Sequence, residues 1–264
     1  MLVLTDDQVE IAFEIHGTGV PVVFVHGLGD DRTLFRSLIN GLVDTYRCIL
    51  LDLRGHGASG NSSDNDPFEL HRDIAAVTKQ LRIMQPILVG HSLGALAVST
   101  YAARHDALAV VNLDQCLEWS PLTAMVMPYA SEVARGEGSR ILCKMLEQLG
   151  VEALDSDLRF RLRQTRSKLD EAVVRGVWKP LFEREPAMNN ALVATALAGL
   201  DVPYLSLHGA EVEPDYVDWL RGIVPNAQIE VWPSAGHFLH LADETRFVGR
   251  LREFFDSVLA SVHG

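Results

Sequence analysis

The chain has 264 residues, of which 48% are hydrophobic and 22% are charged. This is enough apolar material for one domain with a sizeable core and an inserted segment. Acidic side chains outnumber basic ones, 35 to 23, which gives a formal net charge of -12. Nucleic-acid binding depends mainly on clustered Lys and Arg. The charge therefore disfavours nucleic acid as a partner, and a solvated acidic surface is the simpler interpretation.

Three cysteines, Cys48, Cys116 and Cys143, are scattered along the chain without C-x-x-C spacing. Such a set indicates neither a disulfide framework nor a zinc site, so we expect reduced thiols and no bound metal. The first residues lack the basic and apolar regions of a signal peptide, and no stretch approaches the roughly 18 apolar residues of a membrane span. We therefore expect a cytoplasmic protein with no membrane partner.

Short β-branched runs alternate with longer amphipathic stretches, which is typical of a mostly parallel sheet with helices on both faces. The runs at 21–25 and 86–90 are continuously apolar, so we expect central strands that are covered on both sides. Strands are predicted at residues 8–16, 20–25, 46–51, 86–90, 107–113, 204–208 and 228–232, and helices at residues 31–43, 68–82, 92–104, 215–224 and 245–259.

The strand pattern stops after residue 115 and returns near residue 200. The intervening segment is rich in Met, Leu, Arg and Glu, and it is too long and too apolar for a loop. We interpret 116–199 as a helical cap, inserted after the sixth strand of an α/β core that comprises 1–115 and 200–264. The alternative is that these helices continue the layers of the sheet itself.

The strongest chemical motif is Gly90-His-Ser-Leu-Gly94, which follows a predicted strand and runs directly into a predicted helix. This context is that of a nucleophile elbow, a tight turn that exposes a serine at the end of the sheet. The two glycines let strand and helix pass close together. The helix N-terminus stabilises negative charge beside the serine. Ser92 is the predicted nucleophile.

A second loop, His26-Gly27-Leu28-Gly29, follows another buried strand. Acyl transfer needs two backbone N–H donors for the oxyanion, one from the residue after the nucleophile and one from such a loop. Leu93 and Leu28 are the predicted donors. We expect His26 to shape the loop by hydrogen bonding, and we count it as a candidate for substrate contact rather than as a catalytic group.

A serine hydroxyl needs a neighbouring base before it becomes a nucleophile at neutral pH. His237 lies in Gly236-His237-Phe238, just beyond the last predicted strand, and it follows Ser92 in the chain as the base does in serine hydrolases of this type. His237 is the predicted base. His240, three residues further on, is the nearest competitor.

Four segments together resemble the α/β-hydrolase superfamily: His26-Gly27, Asp52-Leu-Arg-Gly-His-Gly-Ala-Ser59, Gly90-His-Ser-Leu-Gly94 and Gly236-His237-Phe238. The resemblance spans nearly the whole chain outside the predicted cap. It implies the α/β-hydrolase fold, a Ser–His–acid triad and no cofactor. In such proteins the Arg54-Gly-His-Gly57 run is a structural hallmark and Asp52 is usually a loop anchor, and we assign neither a catalytic role.

The acid of the triad departs from the commonest family pattern. That pattern places Asp three residues after the glycine that follows the penultimate strand, but this chain has Val212 there. Glu211 and Glu213 flank that position and are alternatives if the loop is bulged by one residue. Asp215 fits better as the N-cap of the next helix.

The other location of the acid in the superfamily is the end of the strand before the cap, where this chain has Asp114. One subgroup of haloalkane dehalogenases and the cofactor-free dioxygenases that open 3-hydroxy-4-quinolone rings keep their acid there. The dioxygenases also resemble this chain in Pro214-Asp-Tyr216 and Gly236-His-Phe238. We therefore favour Asp114 as the acid, with Glu211 and Glu213 as alternatives.

These parts predict a serine hydrolase that cleaves an ester, thioester or lactone of a small molecule through an acyl-enzyme. Two other functions stay open. One is a cofactor-free oxygenase, in which the His–Asp dyad deprotonates a heteroaromatic substrate that Ser92 only binds; the other is a receptor that uses the same pocket without catalysis. Dehalogenation is disfavoured because those enzymes need a carboxylate at the position of Ser92.

Apolar side chains of the predicted cap are candidate walls for the substrate, and together they suggest an uncharged, partly apolar molecule. Trp119 and Trp178 are the leading candidates. We expect a monomer or a homodimer. The further wall candidates are Met125, Met127, Tyr129 and Phe182.

Overall fold

The computed structural model describes the backbone of residues 1–263 and the side chains of residues 1–261. Its strands are β1 (Leu2–Leu4), β2 (Glu10–His16), β3 (Val20–Val25), β4 (Tyr46–Leu51), β5 (Ile87–His91), β6 (Ala109–Leu113), β7 (Tyr204–His208) and β8 (Ala227–Val231). They form one sheet in the order β1-β2-β4-β3-β5-β6-β7-β8. β2 pairs antiparallel with β1 and β4, and the other neighbours are parallel. The predicted mostly parallel sheet is confirmed.

The α-helices are α1 (His71–Leu81), α2 (Leu93–Ala102), α3 (Ser120–Val126), α4 (Ala130–Ala134), α5 (Gly138–Leu146), α6 (Ser156–Ser167), α7 (Glu171–Glu183), α8 (Pro186–Ala196), α9 (Pro214–Ile223), α10 (Leu239–Ala242) and α11 (Glu244–His263). Single 3₁₀ turns occur at Arg32–Phe35, Leu38–Gly41, Met127–Tyr129 and Val151–Ala153. In the part of the chain that the structure describes, no helix has the length and apolar content that a membrane span requires.

The two apolar runs form β3 and β5, which lie side by side in the middle of the sheet. Val22, Val23, Phe24 and Val25 are all fully buried, as the absence of alternation predicts. Val23 and Val25 belong to the core on the side of α1 and α2, whereas Val22 and Phe24 belong to the core on the side of α11. Helices on both faces thus exclude water from the strands that carry the site.

Some local predictions are wrong. The predicted helix at 31–43 consists of two 3₁₀ turns, because Asp31 caps the first turn on the Thr33 N–H (2.8 Å) and Gly41 at the end of the second disfavours an α-helix. The sequence pattern missed β1 altogether. The N-cap of α9 is Glu213, and Asp215 lies in the first turn, because Pro214 occupies the first helical position.

Six helices, α3 to α8, lie between β6 and β7, so the helical segment follows the sixth strand as predicted. We call residues 116–199 the insert. Its helices pack on one another, with α5 against α6 and α3 against both α7 and α8. The division of the chain into a core and a cap stays a prediction.

A buried ion pair fixes the loop after β4. Arg54 is 1% exposed, and its Nε and Nη2 donate to Oδ1 of Asp73 at 2.9 and 2.7 Å. The Arg54 backbone N–H donates to Oδ2 of the same carboxylate at 2.9 Å. Asp73 lies in the first turn of α1, so this pair connects the loop to the helix layer.

Asp73→Ala is expected to lower the free energy of unfolding by about 3–5 kcal/mol, because it leaves the Arg54 guanidinium buried without its main partner. Urea denaturation followed by circular dichroism measures this. The matched control is Glu69→Ala, which removes the partly exposed pair with Arg72 and should cost less than about 1 kcal/mol. Equal effects of the two substitutions would contradict the expectation.

Candidate active site

Ser92 lies at a strained turn between β5 and α2. Its backbone angles are φ 53° and ψ -122°, a region that L-residues rarely adopt, and its N–H donates to the Leu113 carbonyl of β6 at 2.9 Å. A side-chain carbon on Gly90 would overlap the Gly94 carbonyl, and one on Gly94 would overlap the Val25 carbonyl. The structure therefore has the elbow geometry that the motif predicts, with α2 pressed against β3 and β5.

The loop after β3 contacts this turn. A methyl group placed on Gly27 would lie 3.0 Å from Cβ of Ser92, so the backbone that leads to Leu28 passes beside the serine. Leu28 and Leu93 line one cavity with Ser92. Both residues with predicted oxyanion donors thus border the cavity that Ser92 lines.

His26 lies beneath the same loop and is fully buried. Its Nε2 accepts the Leu53 N–H at 3.1 Å, so its Nδ1–H donates to the Gly27 carbonyl at 2.8 Å. Burial lowers the pKa of His26 to about 4, and the ring is neutral. Because both nitrogens are engaged inside the protein, the expectation of substrate contact is wrong for His26, whereas loop shaping by hydrogen bonding fits its contacts.

His237 and Asp114 form a short hydrogen bond. Nδ1 of His237 is 2.7 Å from Oδ2 of Asp114, and Oδ1 of Asp114 accepts the Gly209 N–H at 2.7 Å. Burial raises the pKa of the Asp114 carboxyl, but the hydrogen bonds from His237 and from the Gly209 N–H outweigh it and hold that pKa below its usual value. The ionised carboxylate fixes the proton on Nδ1, which leaves Nε2 free to accept one.

The turn after β6 aims the Asp114 side chain at His237. Asp114 has a positive φ of 53°, which Asp adopts more readily than most residues. The Asn112 side chain holds this turn by accepting the Gln115 N–H at 3.0 Å and donating to the Gln115 carbonyl at 2.9 Å. The two alternative acids, Glu211 and Glu213, are both exposed on the loop before α9.

The segment that carries His237 is fixed by backbone hydrogen bonds on two sides. The His237 N–H donates to the Leu149 carbonyl of the insert at 2.8 Å, and Nε2–H of His91 donates to the His237 carbonyl at 2.9 Å. His240, the competing histidine, is fully buried against the rings of His91 and Phe35, and burial lowers its pKa to about 3. His240 therefore has no access to a substrate.

Ser92, Asp114 and His237 line one cavity of about 280 Å³ between the sheet and the insert. Trp119 and Trp178 also line it, as predicted. Trp119 is held by stacking on Phe68. The other apolar walls are Pro67, Leu96, Pro121, Leu122, Met125, Leu142, Met145, Leu149, Val177 and Leu181.

The lining of the cavity differs in part from the prediction. Among the described side chains, Met127, Tyr129 and Phe182 are not part of its lining, although they were wall candidates. Two charged residues that were not predicted, Asp30 and Arg166, do line it. Asp30 directly follows the predicted oxyanion loop, so its place in the sequence is a signal for it, whereas Arg166 lies in a polar helix with no motif around it.

A family model for the α/β-hydrolase fold matches residues 20–243, which is most of the chain. This protein belongs to the α/β-hydrolase fold family. Among curated relatives, this α/β hydrolase is 26% identical to a non-heme haloperoxidase of Rhodococcus erythropolis, over 97% of this chain and 99% of that one. It is 25% identical to an sn-1-specific diacylglycerol lipase of Mus musculus, over 88% and 80% of the two chains.

Solved structures show the same fold. An esterase from Thermogutta terrifontis superposes with a TM-score of 0.80 at 24% identity, covering 98% of both chains. Est816, described as an N-acyl homoserine lactone degrading enzyme, superposes with a TM-score of 0.81 at 20% identity, covering 96% of this hydrolase and 100% of Est816. At these identities the likeness shows the architecture alone.

Asp114→Asn is expected to slow the labelling of Ser92 by a fluorophosphonate probe by about 10³-fold or more, because an amide does not hold His237 in the tautomer that accepts the serine proton. Intact-protein mass spectrometry measures the rate. Glu211→Gln and Glu213→Gln are matched controls that should label at the wild-type rate. If one of these glutamate variants loses labelling while Asp114→Asn keeps it, the acid has been misassigned.

Proposed function

We propose that this α/β hydrolase cleaves an ester, thioester or lactone of a small, partly apolar molecule through an acyl-enzyme on Ser92. One observation carries the proposal: an imidazole hydrogen-bonded to a partly buried carboxylate shares a cavity with a serine on a strained elbow. The predicted N–H donors of Leu28 and Leu93 flank that serine. Nucleophile, base, acid and oxyanion donors are the complete set that acyl transfer needs.

In the acylation half-reaction, Nε2 of His237 takes the proton of the Ser92 hydroxyl while Oγ attacks the substrate carbonyl. The Nδ1–H bond to Asp114 stabilises the imidazolium that forms. The carbonyl oxygen becomes an oxyanion that accepts hydrogen bonds from the Leu28 and Leu93 N–H groups. His237 then gives its proton to the leaving alcohol, thiol or hydroxyl, and the acyl group stays on Ser92.

Water completes the cycle. His237 takes a proton from a water molecule, the hydroxide attacks the acyl carbon, and the second oxyanion collapses with release of a carboxylic acid. Ser92 regains its proton from His237. This cycle requires no redox step and no reactant besides the substrate and water.

The walls of the cavity support the proposed substrate class. Apart from the reacting groups and the mutually paired Asp30 and Arg166, the lining is mostly aliphatic and aromatic. An uncharged acyl group loses little by leaving water for such a wall, whereas a charged one loses its hydration without a partner. Relatives named as a haloperoxidase and as a lipase support the broader class of α/β hydrolase.

A series of p-nitrophenyl esters tests the proposal. We expect a burst of p-nitrophenol stoichiometric with the enzyme, and higher kcat/KM for acyl groups of intermediate length, such as butyrate, than for acetate or palmitate, because the cavity is apolar but small. Ser92→Ala should lower turnover by at least about 10³-fold. Turnover that survives in Ser92→Ala would contradict the acyl-enzyme.

A cofactor-free oxygenase is the second candidate function, and the position of Asp114 after β6 favours it. In that reaction the His237–Asp114 dyad removes a proton from a hydroxylated heteroaromatic substrate, the anion reacts with O₂, and Ser92 only binds the substrate. The cofactor-free dioxygenases that this chain resembles in its motifs keep their acid at the end of the same strand.

Turnover of 3-hydroxy-4-quinolones with and without oxygen separates the two functions. The hydrolase proposal predicts no consumption of these compounds in air and unchanged ester cleavage under nitrogen. Consumption that stops under nitrogen, together with poor fluorophosphonate labelling of Ser92, would establish the oxygenase instead. Binding of small molecules with neither activity would favour the receptor.

A further inference from the structure

A buried ion pair connects the insert to the predicted oxyanion loop. Nη1 of Arg166, on α6, lies 2.6 Å from Oδ1 of Asp30, and Nη2 donates to Oδ2 at 3.1 Å. Asp30 and Arg166 are only 2% and 3% exposed, and both line the cavity with Ser92. Asp30 is two residues beyond Leu28, so the pair lies beside the reacting position.

Stability alone does not account for this pair. Two charges lose their hydration when they are buried, and apolar residues of similar size often serve a core equally well. Burial raises the pKa of the Asp30 carboxyl, and the Arg166 charge opposes that rise. Nδ1 of His91 lies 4.0 Å from Oδ2 of Asp30. His237 also lowers the pKa of the Asp30 carboxyl, whereas the neighbouring Asp31 carboxylate raises it. Arg166 is the permanent positive charge at Asp30.

Arg166 also packs against both loops of the predicted site. A methyl group placed on Gly29 would lie 2.8 Å from Cγ of Arg166, so the methylene chain rests on the oxyanion loop. The guanidinium carbon lies 5.3 Å from the centre of the Phe238 ring, next in sequence to His237. Nη1 donates to the Leu162 carbonyl of its own helix at 3.3 Å, which orients the side chain.

The insert meets the His237 segment at a second point close by. The Leu149 carbonyl accepts the His237 N–H at 2.8 Å. Helix α6 and residue 149 therefore contact the two loops that carry the oxyanion donor and the base. The segment predicted as a cap is connected directly to the reacting groups, in addition to covering them.

We propose that Arg166 is a positioning residue, which holds the Leu28 N–H and the His237 segment in reactive geometry through its pair with Asp30 when the insert is seated on the core. The inference rests on the proposed acyl transfer. Arg166 acts through the loops it holds and takes no part in bond making or breaking.

A positioning role has a particular kinetic consequence. The oxyanion exists only in the transition state and the tetrahedral intermediates, so a displaced Leu28 N–H weakens the transition state more than the bound substrate. The apolar walls that bind the acyl group do not depend on the ion pair. Loss of Arg166 should therefore appear in kcat rather than in KM.

The experiment compares Arg166→Met, Asp30→Asn, the double variant and Arg166→Lys with wild type on the best p-nitrophenyl ester. Arg166→Met should lower kcat by about 10- to 100-fold with KM changed less than about threefold. A boronic acid that adds to Ser92 as a tetrahedral anion should lose affinity by a similar factor. Arg166→Lys restores the charge and one hydrogen bond, so it should recover part of the rate.

The double variant tests whether the effects of Asp30 and Arg166 on the rate are coupled. It leaves no unpaired charge, so it also replaces Arg166→Met if that single variant does not fold. Its kcat should equal that of the worse single variant, because the two residues act as one unit. The matched control is Arg163→Met, on the same helix as Arg166, which removes an exposed pair with Glu147 at the end of α5 and should keep the wild-type rate.

Three results would overturn the inference: a folded Arg166→Met or double variant with wild-type kcat, a loss confined to KM, or single losses that multiply in the double variant. Wild-type turnover and its loss in Ser92→Ala are measured first. An inactive wild type refutes the proposed function, whereas an active wild type with an equally active Arg166→Met refutes only the role of Arg166.

Discussion

The first turn of α2 lies against the ends of β3 and β5 with no space for a side chain between them. Gly94 abuts the Val25 carbonyl, and Gly90 abuts the Gly94 carbonyl. This close packing sets the distance from Ser92 to the loop that carries Leu28, and it imposes the strained angles at Ser92. Fully buried strands on either side resist relaxation of that strain. Every other group of the site is placed relative to this turn.

The carboxylate that pairs with His237 comes from β6, the strand next to the one that carries Ser92. Because β6 hydrogen-bonds to β5 through its whole length, Asp114 is fixed to the same rigid part of the sheet as Ser92. The loop after β7 then contributes backbone groups of Gly209: its N–H donates to Asp114, and its carbonyl accepts the Gly236 N–H. Its glutamates are free to face solvent.

The helices of the insert have two physical roles, because they cover the cavity and also contact the loops that carry Asp30 and His237. Helices above a sheet can simply cover an apolar cavity, and several of these do. Leu149 and Arg166 additionally hydrogen-bond to the segments of His237 and Asp30. A movement of α6 would therefore change the geometry of reacting groups as well as the access of substrate.

Local patterns were sufficient where the cause of a structure is local. Continuous apolar runs predicted the central strands, and a strand followed by Gly90-His-Ser-Leu-Gly94 predicted the elbow, since backbone sterics at that turn depend on neighbouring residues. The same reasoning failed at 31–43, where Asp31 and Gly41 changed the helix type, and at β1, whose three residues pair only because β2 offers an edge.

The sequence by itself therefore determined the family of the fold, the turn that exposes Ser92 and the place of His237 after the last strand. Only the tertiary structure decided which carboxylate reaches the imidazole, that His26 faces inward, and that Arg166 joins the insert to the core. Asp114 and His237 are separated by 123 residues, and Asp30 and Arg166 by 136. Such contacts depend on how strands and helices stack, which no pattern of neighbouring residues encodes.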